Sequence, residues 1–506
     1  MRAVISVYEK RGVEKIGSVL SQLGYEILST GGTAEYLKKH GIQVTEISKV
    51  TGFPEILGGR VKSLHPAIHG GILYRDWVEE DRKDIEGAGI IPVDVVVVNL
   101  YPFEEMMRQN LTIEELLEFI DIGGPALIRA GAKNYFRVLT VVDPSDYGWV
   151  SDKLERGALT KEDRALLAWK AFCHTAYYDS VISNYLKSTL EIDQAEQYYT
   201  IPMKMGKTLR YGENPHQRAY LYLNPFEEIG VARSDILQGK EMSYNNYLDV
   251  DSAVRIALEF PEDPVCVIVK HGNPCGVAVG KDLMEAFERS KNADPQSSFG
   301  GVVAFNDVVG DDLARELTQI FLEVVVAPDF EESALAHLKN KKNLRAVRFH
   351  GLVRGWEVRK VSGGYLVQEE DGDLWEEWKV VSERSPTDKE VEDLKFAWKV
   401  CKHVRSNGVV VAKDGMTLGI GSGNVSRVDS LRCAIERATR YGFDLKGAVL
   451  ASEAFFPFRD SIDLASSAGI TSVIQPGGSI RDQEVIEAVN EHGMAMVFTS
   501  MRHFRH

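Results

Sequence analysis

Apolar and amphipathic segments alternate through the N-terminal third of the chain, a pattern typical of an α/β domain. Near-continuous apolar runs predict strands at Ala3–Val7, Tyr25–Ser29, Asp94–Leu100 and Phe136–Val142. Amphipathic stretches predict helices at Gly12–Leu23, Ala34–His40, Pro125–Asn134 and Lys161–Lys187. Because strands that are apolar on both faces are buried in parallel sheets, we expect a parallel sheet covered by helices. The acidic and aromatic stretch Glu191–Tyr199 indicates a linker.

A pattern of strand, turn, strand and helix occurs twice in the remaining two thirds. The first copy comprises Val265–Val269, Val277–Val279 and Leu283–Arg289. The second copy comprises Val409–Ala412, Leu418–Gly421 and a helix from about Val428. A further strand is predicted at Val302–Phe305. We therefore predict two similar α/β subdomains related by duplication, over roughly residues 200–380 and 385–506, after a first domain over residues 1–195.

The composition restricts the class of protein. A length of 506 residues implies more than one domain, and the net charge of −15 argues against broad binding to nucleic acid. No apolar run approaches the ~20 residues of a membrane span. The strand pattern begins at Ala3 without a signal peptide, and the scattered cysteines have no C-x-x-C spacing. We expect a cytoplasmic protein with reduced thiols and with no nucleic-acid or membrane partner.

Two glycine-rich loops in the first domain are candidate anion sites. Thr30-Gly31-Gly32-Thr33 lies between a strand and a helix, where free backbone N–H groups favour phosphate. The alternative is an ordinary turn with Thr33 as the helix N-cap. The loop over residues 58–71 carries Arg60 and Lys62 between many glycines, which favours a phosphate or carboxamide site. Of its histidines, His65 before Pro66 is typical of a turn residue and His69 of a structural histidine, so neither is included among the candidate site residues.

Polar side chains also follow the predicted strands at positions where ligands bind in α/β sheets. Asn99 and Tyr101 end one buried strand. Asp121 precedes a helix N-terminus, which favours its charged form, and Lys133 lies near the end of that helix. The alternative is a capping aspartate and an exposed basic helix face.

Lys270 and His271 stand side by side where a buried strand meets a turn. They combine a compact cation with a base that is neutral near pH 7, which suits a transfer that develops an oxyanion and releases a proton. A surface lysine beside a capping histidine is the structural alternative. In the second subdomain, residues 454–460 pair aromatic and charged side chains, which indicates either a stacking floor for a flat ring or a core cluster.

These motifs together resemble the bifunctional purine-biosynthesis family that combines phosphoribosylaminoimidazolecarboxamide (AICAR) formyltransferase with inosine monophosphate (IMP) cyclohydrolase. The resemblance covers essentially the whole chain. The motifs that carry it are Ser29–Thr33, Gly59–Pro66, Asn99–Phe103, Ile120–Gly124, Arg210–Gln217, Lys270–Pro274, Phe455–Asp460 and Arg502. It implies a methylglyoxal-synthase-like cyclohydrolase domain over residues 1–195. It also implies a formyltransferase domain over residues 200–506, built from two cytidine-deaminase-like subdomains.

The resemblance assigns roles by position. Cyclisation falls to Lys62, Tyr101, Asp121 and Lys133, and formyl transfer to Lys270 and His271. The predicted nucleotide- and substrate-binding residues are Ser6, Lys10, Thr30, Gly31, Gly32, Thr33, Arg60, Ser63, Asn99, Gly123, Gly124, Arg210, Tyr211, Gly300, Glu323, Asn407, Arg427, Phe455, Asp460 and Arg502. The chain departs from some relatives at Tyr8, where they have a small hydroxyl residue, and at Glu323, where they have aspartate.

The resemblance also implies the ligands and the assembly. The formyl donor is expected to be 10-formyltetrahydrofolate as co-substrate, and the other ligands are AICAR, formyl-AICAR and IMP. We expect no redox cofactor and no catalytic metal, with a structural potassium ion left open, and a homodimer. One alternative is a zinc nucleoside deaminase, but residues 271–275 lack the required H-x-E and P-C-x-x-C patterns. The other is a non-catalytic nucleotide-sensing module.

Overall fold

The computed structural model describes residues 1–57, 60–192 and 194–506. Gly58 and Gly59, which open the predicted glycine-rich loop, and Asp193 in the predicted linker lie outside the described residues. The chain divides into two compact units, Met1–Lys204 and Met205–His506. Among the described residues, no helix has the length and apolar character needed to cross a membrane.

The first unit contains a parallel sheet with the strand order β3-β2-β1-β4-β5. Its strands are β1 Arg2–Val7, β2 Glu26–Ser29, β3 Thr45–Glu46, β4 Val95–Asn99 and β5 Leu139–Val141. Alternate residues of β4 enter two different apolar clusters: Val95 and Val97 pack into one, and Val96 and Val98 into the other. Helices therefore cover both faces, as the near-continuous apolar runs predicted.

The helices of this unit are α1 Val13–Gln22, α2 Gly31–Lys39, α3 Ile47–Thr51, α4 Pro66–Leu73, α5 Glu79–Gly87, α6 Phe103–Met106, α7 Ile113–Leu117, α8 Gly123–Lys133, α9 Tyr147–Glu155 and α10 Lys161–Thr189. Four of them were predicted and are observed with shifted ends, whereas α3, α4, α5, α6, α7 and α9 were not predicted. Helix α2 begins at Gly31, so its N-cap is Thr30 and not Thr33. Strand β5 starts only at Leu139, because the amides of Arg137 and Val138 bond to the Asn134 carbonyl in a turn.

The second unit is organised around one mixed sheet in the order β16-β21-β20-β19-β17-β18-β10-β9-β11-β12-β13-β8. Its strands are β8 Asp235–Gln238, β9 Val265–Lys270, β10 Asn273–Val279, β11 Val302–Phe305, β12 Val324–Ala327, β13 Arg345–Arg348, β16 Lys379–Val380, β17 Val409–Lys413, β18 Met416–Gly421, β19 Val449–Ser452, β20 Ser472–Gln475 and β21 Ala495–Phe498. Two separate hairpins are formed by β6 Lys204–Leu209 with β7 Ala219–Leu223, and by β14 Trp356–Val361 with β15 Gly364–Glu369.

The strand order contains the same plan twice. Read outward from the central antiparallel pair β10 and β18, one half runs β9, β11, β12, β13, β8 and the other β17, β19, β20, β21, β16. The two copies predicted from the sequence therefore share one continuous sheet. Thr417 joins them, because its hydroxyl accepts a hydrogen bond from the Val277 amide at 3.0 Å and lies 3.2 Å from the Val277 carbonyl.

The helices of the second unit are α11 Tyr244–Ala257, α12 Leu283–Ala293, α13 Pro295–Ser298, α14 Asp311–Leu317, α15 Glu332–Leu338, α16 Asp388–Cys401, α17 Arg427–Arg440, α18 Asp460–Ser467 and α19 Asp482–Glu491. They repeat in the same order, except that α13 of the first half has no counterpart in the second. Helices α11 and α16 precede the paired strands, and α12 and α17 follow them. A Cβ on Gly276 or Gly419 would lie 2.1 Å from a carbonyl oxygen of the following helix, so glycine lets each helix pack directly on its strand.

Candidate active sites

A cavity of about 770 Å³ opens in the first unit at the carboxyl ends of β1 and β4. The predicted residues that line it are Ser6, Lys10, Thr30, Gly32, Thr33, Arg60, Lys62, Ser63, Asn99, Tyr101, Asp121, Gly123 and Gly124. Gly31 and Lys133 do not line it. Lys133 is exposed at the last position of α8, about 15 Å along the helix from the N-terminal end that faces the cavity.

Two predicted binding residues hold the backbone of the cavity wall. The Thr33 hydroxyl accepts a hydrogen bond from the Val7 amide at 3.1 Å and donates to the Val7 carbonyl at 2.9 Å, so it ties α2 to β1. The Asn99 carboxamide accepts hydrogen bonds from the amides of Tyr8 at 2.6 Å and Glu9 at 3.0 Å. These side chains therefore shape the loop over residues 7–10 that carries Lys10.

Lys10 and the start of α2 form the part of the cavity that suits an anion. A Cβ on Gly32 would lie 3.7 Å from the Lys10 Cε, so the lysine side chain passes over the first turn of the helix. Thr30 has an extended N-cap backbone, and its side chain makes no capping hydrogen bond. The free amides of a helix N-terminus beside an ammonium group can bind a phosphate.

Asp121 is fixed beside the N-terminus of α8. Its carboxylate accepts a hydrogen bond from the Gly124 amide at 2.7 Å, and a Cβ on Gly124 would lie 2.4 Å from this carboxylate. The expectation that the helix N-terminus favours the charged form of Asp121 is wrong in direction. Burial raises the pKa of Asp121, and this effect outweighs the Gly124 hydrogen bond and the charge of Lys62, which both lower it. The cavity thus holds a carboxyl group suited to proton transfer next to a cation.

The sequence prediction missed Tyr178, which positions Asp121 from helix α10. Its hydroxyl accepts a hydrogen bond from the Asp121 amide at 2.9 Å and donates to the Phe119 carbonyl at 3.0 Å. Burial raises the pKa of Tyr178 to about 12. Because 57 residues separate the partners, no local pattern could indicate this contact.

In the second unit, Lys270 ends strand β9 and His271 begins the turn to β10. His271 and Gly272 have φ of 54° and 72°, and Lys270 pairs with Asn273 across the turn. Two consecutive left-handed residues define a tight hairpin turn whose twist matches that of the strands. The Lys270 ammonium donates to the Phe299 carbonyl at 2.8 Å, and the exposed imidazole stands at the tip of the turn.

The turn contacts Arg405, which lies two residues before the wall of a cavity in the second unit. The Asn273 side-chain carbonyl accepts a hydrogen bond from the Arg405 amide at 3.1 Å, and a Cβ on Gly272 would lie 3.1 Å from the Arg405 guanidinium. Two residues further on, Asn407 lines a cavity of about 400 Å³. Lys270 and His271 do not themselves line this cavity. The sequence prediction missed the contribution of Asn273 and did not include Arg405 among the site residues.

The second cavity contains a buried charge pair and exposed aromatic rings. Four predicted residues line it: Asn407, Arg427, Phe455 and Asp460. The Arg427 guanidinium pairs with the buried carboxylate of Glu453 and donates to the Asn407 side chain at 3.0 Å. Phe458 and Phe504 also line it, whereas Phe456 is fully buried in the core.

The remaining predicted residues lie outside the two cavities. Arg502 stacks on Phe504, with its guanidinium carbon 4.2 Å from the ring centre, and so contacts the cavity wall. Arg210 stacks on Tyr211 beyond the end of β6. The Gly300 amide donates to the Phe321 carbonyl at 2.7 Å, next to the Phe299 carbonyl that binds Lys270. The Glu323 carboxylate pairs with Arg345 at 2.7 Å, which occupies one of its oxygens.

Known protein families and relatives together match the whole length of the chain. The family described as the AICARFT/IMPCHase bienzyme matches residues 131–437, and the MGS-like domain matches residues 12–126. A protein of Aquifex aeolicus (strain VF5) named bifunctional purine biosynthesis protein PurH is 64% identical over 506 residues, with 100% of both chains covered. Proteins of the same name from Persephonella marina and Caldicellulosiruptor saccharolyticus are 55% and 52% identical, covering 100% of this chain and 99% of theirs.

These matches confirm the resemblance drawn from the motifs and the methylglyoxal-synthase-like character of the first domain. They favour the formyltransferase and cyclohydrolase activities over the two alternatives, a zinc deaminase and a non-catalytic nucleotide-sensing module. The likeness of the two subdomains to cytidine deaminase stays a prediction. With one family matching more than half of its length and relatives matching it end to end, the chain belongs to the AICARFT/IMPCHase bienzyme family.

Proposed function

We propose that the two activities of this bienzyme are divided between its two parts. Residues 1–195 would close the ring of formyl-AICAR to give IMP, and residues 200–506 would transfer a formyl group from 10-formyltetrahydrofolate to AICAR. The observation that carries the first assignment is the cavity in which Lys62, Tyr101 and Asp121 meet an anion site at the start of α2. The Lys270–His271 turn carries the second.

Ring closure joins the carboxamide nitrogen to the formyl carbon of the same molecule and releases the formyl oxygen as water. Because the reaction is intramolecular, holding the substrate in one conformation supplies much of the acceleration. The Lys10 and α2 amide groups would hold the phosphate, which fixes one end. Asp121 would take a proton from the amide nitrogen and return it to the departing oxygen, and the formamide N–H would supply the second proton of the water. Lys62 would stabilise the charge that develops on the formyl oxygen.

Lys133 lies away from the cavity, at the far end of α8. We retain it as a predicted cyclisation residue on the motif match alone. Its ammonium stands on an exposed helix end, so within one chain it does not reach the groups near Asp121. Tyr101 is 37% exposed at the cavity wall, with its ring packed edge-on against Tyr8 at 5.5 Å, and we assign it an orienting role.

Formyl transfer forms a bond between the AICAR amine nitrogen and the formyl carbon and breaks the bond from that carbon to the folate nitrogen. His271 would accept the proton that the amine loses, and a proton is returned to the departing folate nitrogen. Lys270 would stabilise the oxyanion of the tetrahedral intermediate. The exposed ring of Phe458 and the buried Arg427 offer a stacking surface and a cation for substrate.

The partition is tested with two variants assayed for both reactions. Lys62→Ala should remove ring closure and retain formyl transfer, whereas His271→Ala should remove transfer and retain closure. The two reactions are followed separately by the release of reduced folate and the formation of IMP. If either variant loses both activities or keeps both, the partition is wrong.

Three finer features remain part of the proposal. We propose that the formyl donor is the 10-formyl derivative of tetrahydrofolate, that the enzyme is a cytoplasmic homodimer, and that it can bind a structural potassium ion. The motif matches support these points. Light scattering of the purified enzyme, with and without potassium, checks the oligomeric state.

A further inference from the structure

We propose that Asp249 is a positioning residue for formyl transfer, because its carboxylate fixes the left-handed turn that presents His271. The inference rests on the proposed role of Lys270 and His271. Asp249 lies on α11, outside the turn, and none of the sequence motifs includes it.

Asp249 contacts the turn through its backbone. The carboxylate accepts a hydrogen bond from the Gly272 amide at 2.6 Å. The backbone amide of His271 also faces it and lowers the pKa of Asp249. Ser252, one turn further along α11, donates its hydroxyl to the Gly272 carbonyl at 3.2 Å. Helix α11 therefore holds both the amide and the carbonyl of Gly272, the second residue of the turn.

The turn needs this external support because of its conformation. His271 has a φ of 54°, which non-glycine residues adopt at an energetic cost. Without a partner for its amides, the turn would relax towards conformations in which the imidazole points elsewhere. Burial raises the pKa of Asp249, and the two amides, His271 and Arg405 oppose this shift, so the carboxylate is held by the groups around the proposed reaction centre.

The second half of the sheet contains the same arrangement of aspartate and turn, without the proposed catalytic histidine. Asp393 is the sixth residue of α16, as Asp249 is of α11. It accepts hydrogen bonds from the amides of Asp414 at 2.9 Å and Gly415 at 2.8 Å, which have φ of 52° and 66°. The duplicated fold therefore supplies a matched control, in which an aspartate holds a turn that carries no imidazole.

The test compares Asp249→Asn and Asp249→Ala with Asp393→Asn and Asp393→Ala in the full-length enzyme. For each we would measure the melting temperature, ring closure, and kcat and KM for AICAR in formyl transfer. Since misplacing a catalytic group by about 1 Å can cost about 100-fold, we expect Asp249→Ala to lower kcat by about that factor with little change in KM. Asp249→Asn keeps one acceptor oxygen and should recover part of the loss. The Asp393 variants should lower the melting temperature without lowering kcat.

Each result decides between positioning and stability. If the Asp393 and Asp249 variants lose transfer equally, or if Asp249→Ala keeps its kcat, Asp249 only stabilises the fold and the inference is wrong. If an alanine variant fails to fold, the isosteric asparagine pair carries the same comparison. His271→Ala, assayed alongside, separates the two claims: retained transfer there overturns the proposed role of His271, whereas lost transfer with normal Asp249 variants overturns only the inference.

Discussion

The two sister turns of the second unit show how one backbone arrangement can serve both chemistry and structure alone. In each, a lysine ends the first strand and two left-handed residues follow, His271-Gly272 in one and Asp414-Gly415 in the other. Each lysine ammonium donates to a backbone carbonyl, Phe299 for Lys270 and Lys446 for Lys413. The first turn adjoins Arg405, two residues before Asn407 in the wall of the second cavity. The fold thus fixes the position of the residues at each turn, and the identity of the side chains and of their neighbours determines whether the turn has a function.

In a second comparison, Glu259 and His403 occupy equivalent positions in the two copies and contact each other. Glu259 lies ten residues after Asp249, and His403 ten residues after Asp393. The His403 Nε2 lies 2.9 Å from the Glu259 carboxylate, and the Lys402 ammonium lies 3.2 Å from it. At this contact between the halves, equivalent positions therefore carry different residues that pair. Two identical charges at these positions would repel each other.

The sharpest test of the first comparison replaces the two lysines. Lys270→Met should lower formyl transfer by about 100- to 1,000-fold, since it removes a cation from the developing oxyanion, an effect of about 3 kcal/mol on the barrier. Lys413→Met removes an equivalent bond to a carbonyl and should leave transfer unchanged. Steady-state rates of folate release in both variants provide the measurement. Equal losses would show that the lysines act through the sheet and not through the substrate.

The sequence predicted the strands and turns of the two copies, because these features depend on residues that are close together in the chain. Strand β11 was predicted at its observed bounds, Val302–Phe305, because an entirely apolar run lies between Gly301 and Asn306. The two copies of strand, turn, strand and helix were found for the same reason, since each fits within about 25 residues.

The contacts that complete the sites were not predictable from local patterns. The bond from Gly272 to Asp249 spans 23 residues, and that from Arg405 to Asn273 spans 132. Pro125 was predicted as the first helical residue but is the third, because Asp121 binds the Gly124 amide and the helix starts at Gly123. An alignment of the two internal copies would have paired Asp249 with Asp393, and this is the signal that could have identified Asp249.

A second prediction tests whether the two copies are equally strained by the same change. Gly276→Ala and Gly419→Ala each place a Cβ 2.1 Å from a helix carbonyl oxygen, so the helix must move away from its strand. We expect each to lower the free energy of unfolding by about 3 kcal/mol. Thermal unfolding of the full-length variants checks this. Gly355→Ala, where a Cβ meets no atom within 4 Å, is the control and should have little effect. A loss in only one copy would show that the halves do not pack alike.

The smallest expected effect concerns the pair at the junction of the copies. Burial disfavours the charged form of Glu259, but the hydrogen bond from His403 and the charges of His403 and Lys402 lower its pKa from 4.5 to about 2. Burial lowers the pKa of His403, and this effect outweighs the hydrogen bond and charge of Glu259, which raise it. A carboxylate whose folded pKa is lowered contributes stability above pH 4.5, and that contribution is lost as the pH falls towards 2.

Glu259→Gln should therefore lower the free energy of unfolding by about 2 kcal/mol at pH 7, and the difference from the parent should shrink as the pH falls from 4.5 towards 2. Denaturant unfolding at several pH values measures both quantities. Glu262→Gln, at an exposed position nearby, should match the parent throughout. If the Glu259→Gln difference is the same at low and neutral pH, packing of the side chain and not its charge joins the two copies. In that case the divergence of Glu259 from His403 would have a steric origin, and the electrostatic explanation of the second comparison would be wrong.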